Sequence, residues 1–382
     1  MGRAKHPRRT HVGAMSSDQT PQIPTEKRPN TLRVVPADDG WNQLMKVLDK
    51  VPFVAGVKRD VGSLRRLVVG RRAPRIVILG NTGSGRSRLV NGLIGAPVLR
   101  ESDKTHWGSW VFMNAEGRSM EWMELEPAVP AAPWPHGQTP DVIILVATAD
   151  EVAAGLGAHL EALVSAAGSA FKGEPKFVAV LTKSDSLDEA GPSVEMVRQR
   201  YARQILDAGL GEVNVYAVSV PSASEQRKGS PPVGTEALAE AIAELVPDEA
   251  LVETARAFVA PKAQSRVADS VIQSSSTLAL TVALAPVPLS DIALIAPLQG
   301  LMVSTIAHLA GRSLNGGASE WIASIGVAGG IGVGLRTLAR QVVKVVPGAG
   351  SLVAAGIAGA GTLAMGRSAK RYFLGAPTPD GG

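Results

Sequence analysis

Apolar positions form short runs in the middle of this chain and long runs near its end. Ile76-Val77-Ile78-Leu79, Lys176-Phe177-Val178-Ala179-Val180-Leu181 and Tyr216-Ala217-Val218-Ser219-Val220 are brief and end in polar loops, as buried strands do. Leu89, Val90, Leu93 and Ile94 repeat at helical spacing and stop at Gly95, a helix-ending residue. Upstream, Trp41 to Leu48 and Val61 to Leu67 also show helical spacing, and Asp38 or Asp39 would cap the first. These helices would pack on the strand-bearing unit or on the C-terminal unit; spacing does not choose.

From Val267 to Phe373 the pattern changes to Ala, Gly, Leu, Ile and Val with widely separated charges. Residues 292–311 and 345–366 contain no Asp, Glu, Lys or Arg. Each run reaches the ~20 residues that a spanning helix needs. Pro297 and Pro347 interrupt the runs, and glycines crowd 348–361. The run 273–285 is, as a helix, about 20 Å long, short of a hydrocarbon core of about 30 Å. It ends at Pro286-Val287-Pro288-Leu289-Ser290-Asp291, where Ser290 or Asp291 would cap a second helix, giving a helical hairpin. Gly348, Gly350, Gly356, Ala358, Gly359 and Gly361 would let helices approach closely, in lipid or in a protein core. Arg336, Arg340 and Lys344 recur every four residues, as do Arg367 and Arg371: a solvated helix face, or one that meets an anionic leaflet.

Candidate chemistry begins directly after the first strand, at Gly80-Asn81-Thr82-Gly83-Ser84-Gly85-Arg86-Ser87. A strand turning into a helix through such a loop aims successive backbone N–H groups at one point, an anion site sized for a nucleotide phosphate. Glycines in a tight turn would look similar, but strand, loop and helix arrive here in the order a phosphate loop requires. Ser87 would present its hydroxyl to Mg²⁺. Arg86 stands where lysine belongs, a planar fork in place of a compact point charge. The second strand, at Lys176–Leu181, runs into Thr182-Lys183-Ser184-Asp185. In a parallel sheet ligands gather at the carboxyl ends of strands, and both loops lie there. An Asp at this place accepts two hydrogen bonds from the N1–H and exocyclic amine of guanine, which adenine does not offer. The aliphatic stem of Lys183 would lie along the base.

The stretch GNTGSGRSRLVNGLIG, residues Gly80–Gly95 with Asn91 and Leu93 in place, resembles the Era-like branch of the translation-factor-related GTPases. The likeness runs from Arg75 to near Pro247, about 175 residues, an ordinary single-domain size. It implies an α/β fold, a P-loop NTPase G domain with a mostly parallel sheet and helices on both faces. It implies GTP or GDP bound across the strand ends, with Mg²⁺. Asn81–Ser87 would hold phosphates and metal, Thr182, Lys183 and Asp185 the base, and the Ser219 backbone would sit above the base, although the lysine expected after it is missing.

The departures from that family fall on phosphate, metal and switch chemistry. The strand Ser119–Leu125 should end in Asp-x-x-Gly and does not. Glu124 or Glu126 would substitute for the metal-side carboxylate, with a longer arm. Residues Ala128 to Pro140, rich in Pro and Ala, read as an irregular loop. By the same resemblance Thr105 would be the switch threonine and a metal ligand beside Ser87, with Ser102 the lesser candidate. Together these imply guanine-nucleotide binding with weakened dependence on Mg²⁺ and slow or absent hydrolysis. A slow but active GTPase and a scaffold that binds no nucleotide are the alternatives.

The apolar last third resembles a bacterial helical domain of unknown function fused behind Era-like G domains. The likeness rests on Pro286–Asp291, Leu338-Ala339-Arg340-Gln341, Val346-Pro347-Gly348-Ala349-Gly350 and Arg371-Tyr372-Phe373. Hence an all-α, apolar helical domain is expected after the G domain, meeting an anionic membrane or a protein partner through residues 266–373.

Composition narrows the rest. The 382 residues suit about two domains. No cysteine is present, which excludes disulfides and Cys-based metal sites and makes a reducing cytoplasm the simplest compartment; the apolar last third would place the chain at or in the inner face of the membrane. The six histidines are scattered and suggest no metal site. Residues 1–33 carry seven Lys/Arg against two acids, residues 34–260 twenty-three against twenty-eight, and residues 261–382 nine against four. The basic start lacks apolar periodicity, an apolar signal core and interleaved aromatics, so it reads as a disordered tail, neither secretory nor specific for nucleic acid. The expected organisation is a tail (1–40), a helical lead-in (41–72), a G domain (73–247), a helical linker (248–265), the apolar helical domain (266–373) and a tail (374–382).

Overall fold

The computed structural model describes residues 55–68, 70–96, 99, 111–115, 118–125, 139–156, 160, 176–187, 192–222, 225, 230–258, 260–284, 291–312 and 350–375. Thr105, Ser102, Glu126, the Trp41–Leu48 helix, Arg336, Arg340, Lys344, Pro347 and most of 128–140 lie outside these residues.

Helix α1 (Ala55–Val68) leads into β1 (Arg75–Leu79), α2 (Arg86–Ile94), β2 (Val111–Ala115), β3 (Arg118–Leu125), β4 (Val142–Thr148) and α3 (Ala149–Ala154). There follow β5 (Lys176–Thr182), α4 (Val194–Asp207), β6 (Val215–Val218), α5 (Thr235–Leu245), α6 (Asp248–Ala257), α7 (Pro261–Leu284), α8 (Asp291–Leu309) and α9 (Gly350–Leu374). The six strands form one sheet in the order β2-β3-β1-β4-β5-β6. Only β2 runs antiparallel to its neighbour; the other pairings are parallel. The α/β class, the mostly parallel sheet and the helical region behind it are as expected.

Alternation along the strands explains why both sheet faces are covered. Val77, Leu79, Ile143, Leu145, Ala147, Ala179 and Leu181 point to one face and pack under Val152, Val197, Tyr201 and Ile205 of α3 and α4. Ile76, Ile78, Val142, Ile144, Val146, Val178 and Val180 point to the other, beneath Leu89, Val90 and Leu93 of α2 and Leu238 and Ile242 of α5. The second core does not stop there. It continues through Leu64 and Leu67 of α1, Val252 of α6 and Phe258 just after it, to Val271, Leu278, Met302, Ile306 and Phe373 of the last helices. Helix α1 therefore packs on α6 and α7, joining the two units between which its sequence left a choice.

The end of the sheet opposite the polar loops is fastened by charge. Arg72 donates to both Asp141 oxygens at 2.8 and 2.6 Å, and the Arg75 amide donates to the same carboxylate at 2.9 Å. The Arg72 amide reaches Glu249 O at 2.9 Å, tying α6 to this edge.

Helix α7 runs across the expected boundary at 265/266 without a break, and α9 lies along it. Gly366 explains the close fit: a Cβ there would stand 2.7 Å from Ile272 Cγ1 and 2.9 Å from Met302 Sδ. Gly359, expected as a packing residue, faces Leu280 at 3.1 Å, whereas Gly356 meets nothing within 4 Å. Among the described residues no helix is long and apolar enough to cross a membrane. Leu298, Met302, Val303 and Ile306 of the charge-free run are buried in protein.

Candidate functional site

The loop between β1 and α2 is shaped by glycine at two places. Gly80 is buried where a Cβ would lie 2.6 Å from Val146 O and 2.7 Å from Ser84 Oγ. Gly85 is the N-cap of α2 at φ 92°, in the left-handed region that side chains disfavour. Ser84 N donates back to Asn81 O at 3.1 Å, closing the turn, and Thr82 and Gly83 stand exposed at its tip. No side chain caps α2, and its first turn contains no acidic residue. A helix N-terminus in that state leaves backbone donors and a positive dipole end for an anion. The buried Ser84 Oγ also has no hydrogen-bond partner among the described residues.

Two struts hold the loop. Thr182 Oγ1, at the end of β5, donates to Ser84 O at 2.5 Å and approaches Ala147 O at 3.3 Å. Asn81 Nδ2 donates to Glu151 Oε1 at 2.7 Å. Glu151 is itself fixed by a capping box at the start of α3: its Oε2 accepts from the Thr148 amide at 2.7 Å, while its own amide donates to Thr148 Oγ1 at 3.4 Å. The sequence reading missed β4 and this box, although an apolar run followed by Thr-x-x-Glu was there to be read.

Beyond Thr182, Lys183 takes φ 54°, the one non-glycine residue with positive φ among those described. Lys183 and Asp185 are exposed on the turn Ser184–Ser186, at the same sheet edge as the loop. Ser219 lies farther along that edge in a bridge to Val233: its amide, expected above a base, donates to Val233 O at 3.1 Å and its carbonyl accepts from Val233 N at 2.8 Å.

Inside the loop, Arg86 and Glu124 are both buried, with side chains only 4% exposed, and Arg86 Nε lies 3.9 Å from Glu124 Oε2. Ser87 Oγ donates to Glu124, 3.4 and 3.3 Å from its two oxygens. Register explains the meeting, since Glu124 pairs with Ile78 on β1, just before the loop. Among the described residues, Glu124 is thus the carboxylate brought to Ser87.

Comparison with known proteins is sparse. No family model matches the chain, and no curated protein matches its sequence. Among solved structures, Toc33 from Arabidopsis thaliana in complex with Mg²⁺ and GMPPNP is 18% identical with a TM-score of 0.32, over 45% of this chain and 82% of that one. The same protein with GDP and Mg²⁺ is 19% identical with a TM-score of 0.33, over 47% and 84%. A mutation variant of SsGBP is 13% identical with a TM-score of 0.29, over 50% and 66%.

Proposed function

We propose that this chain binds a guanine nucleotide, with the Gly80–Ser87 loop on the phosphates and Thr182–Asp185 on the base, and hydrolyses it slowly or not at all. The observation that carries this reading is the Thr182–Ser84 hydrogen bond of 2.5 Å, which makes one unit of two motifs that sequence separates by 98 positions. A phosphate loop and a base-reading carboxylate serve one ligand only if they share a rim. The uncapped α2 N-terminus and the unpartnered Ser84 hydroxyl fit a phosphate. The exposed Asp185 carboxylate fits the two donors of guanine. Ser219, its amide engaged with Val233, would border the base pocket without donating to it.

Mg²⁺, when bound, neutralises phosphate charge. Ser87 and Glu124 are the described residues that would face it. Since Arg86 shares the Glu124 carboxylate, the chain supplies a cation of its own at the loop. That supports nucleotide binding with weak dependence on Mg²⁺. The helical layer would act as the docking unit for a membrane or protein partner, sensing occupancy through the core it shares with α2 and α5.

Fluorescent GDP, GTP and ATP titrated into the full chain, with and without Mg²⁺, test the reading. Guanine-selective binding that survives chelation is expected, and Asp185→Asn should remove the selectivity. Binding without base preference would overturn it. A second reading, a slow but working GTPase, draws on the Ser87–Glu124 contact. On that reading Glu124→Gln abolishes turnover and leaves binding intact.

A further inference from the structure

We propose that the helical layer contains an oxyanion site for a phosphate-class dianion, formed by Arg367, Lys370 and Arg371 of α9 opposite Asp269 of α7. It concerns the docking unit of the preceding reading, shares no residue with the Gly80–Ser87 loop, and stands whether or not that loop binds nucleotide.

A cavity of ≈ 330 Å³ lies between these helices, lined by Asp269, Arg367, Lys370, Arg371, Leu374 and Gly375. That volume falls at the lower end of the ~300–1,000 Å³ of small-ligand sites. Lys370 Nζ is held by Asp269 Oδ2 at 2.6 Å, an ion pair across the two helices. Arg367 and Arg371 are exposed, and among the described residues neither side chain has a carboxylate or hydrogen-bond partner. Four residues apart on a helix, they stand side by side. Their backbone is fixed from beneath, because Ala369 and Phe373 are buried and Gly366 sits against Ile272 and Met302. Two guanidinium forks are thus presented from a rigid helix toward one concavity.

Charge selects the class of ligand. Three cations against one carboxylate leave the site with two positive charges in excess. A phosphate monoester carries about −1.5 to −2 near neutrality and three acceptor oxygens, which suits paired guanidinium forks better than a single carboxylate would. The plainer account is that basic residues complement the negative end of a helix dipole. It covers Arg371 in the last turn of α9. It does not cover Arg367, two turns from the end, because that effect fades within the last turn. Nor does it account for the cavity.

The phosphate could belong to a lipid headgroup or to a soluble ester, and two arms of one experiment separate them. In the first, inorganic phosphate is titrated calorimetrically into the full chain and into Arg367→Gln/Arg371→Gln. The loop also attracts phosphate, so the site is defined by the difference between the two titrations. The wild type should show a binding component that weakens at least about tenfold in the double variant. Asp269→Asn, which removes the opposing carboxylate, should tighten that component. In the second arm the same proteins are sedimented with vesicles of phosphatidylcholine alone, or with phosphatidic acid or phosphatidylglycerol added. Arginine-dependent sedimentation with phosphatidic acid over phosphatidylglycerol assigns the site to a lipid phosphomonoester. Arginine-dependent phosphate binding without sedimentation assigns it to a soluble one. If the double variant matches the wild type in both arms, the proposal is overturned.

Discussion

Two groups of buried charges among the described residues are closed in different ways. In the helical layer, Glu253 of α6 and His308 of α8 meet at 2.7 Å, and Arg256 donates to the other ring nitrogen, Nδ1, at 2.9 Å. Protein groups engage both ring nitrogens there, and Arg256 Nη1 also lies 3.0 Å from Nε2, while Glu253 Oε2 has no hydrogen-bond partner among the described residues. At the loop, Arg86 and Glu124 are equally buried but 3.9 Å apart, and Glu124 is shared with Ser87. The first group joins α6 to α8 in the interior. The second lies under a loop shaped by glycines and beside an uncapped helix. The comparison teaches that burial alone does not mark a functional charge; what matters is whether protein groups complete its geometry or leave room for an anion.

The largest expected effect tests the sealed group. Glu253→Gln leaves Arg71, Arg256 and His308 around a neutral amide, and removing one partner of a buried ion pair typically costs about 3–5 kcal/mol. Urea unfolding of the full chain measures it. Glu124→Gln should cost less, because the polar loop and solvent at the strand ends can rearrange. Equal losses would erase the distinction between the two groups.

The loop yields a finer comparison between two glycines. Gly80→Ala places a Cβ 2.6 Å from a backbone oxygen. Such overpacking should cost about 1–3 kcal/mol and displace the loop, seen as lost stability together with lost nucleotide affinity. Gly83→Ala meets nothing within 4 Å and strains only φ 85°, so about 1–2 kcal/mol is expected, with affinity largely kept. Close in size is Thr182→Val, which leaves Ser84 O without its strut and should cost about 1–3 kcal/mol in the same unfolding assay. If nucleotide affinity survives that change, the two motifs are not coupled as proposed.

Much of this was legible in the sequence, for reasons that differ by region. Strand, glycine loop and helix at residues 76–94 could be read because the loop's backbone demands glycine at fixed spacing. Glu124 was visible as one of two candidates, and register against Ile78 brings it to the loop, while Glu126 lies outside the described residues. Thr182 was expected at the base; that its hydroxyl also braces the loop backbone at Ser84 O depends on β4 and β5 lying side by side, which no motif records. The Glu253–His308 pair left no trace, since 55 positions separate the partners and neither belongs to a motif. The apolar runs of the last third were ambiguous because a helix buried in protein and one facing lipid have the same periodicity. Buried Met302 and Ile306, packed in a core that reaches the sheet, show which applies to α8.

The smallest predicted effect is a pH response confined to the sealed group. Burial, together with the charges of Arg71 and Arg256, holds His308 below its ordinary pKa of 6.5, although its hydrogen bond to Glu253 pulls the other way. For Glu253, burial would raise the carboxyl, but the His308 hydrogen bond and the neighbouring cations outweigh it and hold it below the ordinary 4.5. Both groups therefore release their protons more readily in the folded chain than in the unfolded one. Their contributions are complete above pH 6.5 and fall with acidification, as the unfolded chain takes up protons that the folded chain refuses, first at His308 and then below 4.5 at Glu253. His308→Gln should flatten the upper part of that fall and leave the lower part in place. Urea midpoints followed between about pH 8 and about pH 4 read both steps. A wild-type chain that gains stability on acidification through this range would show that the cluster holds a charged imidazole, and would reverse the assignment of its protons.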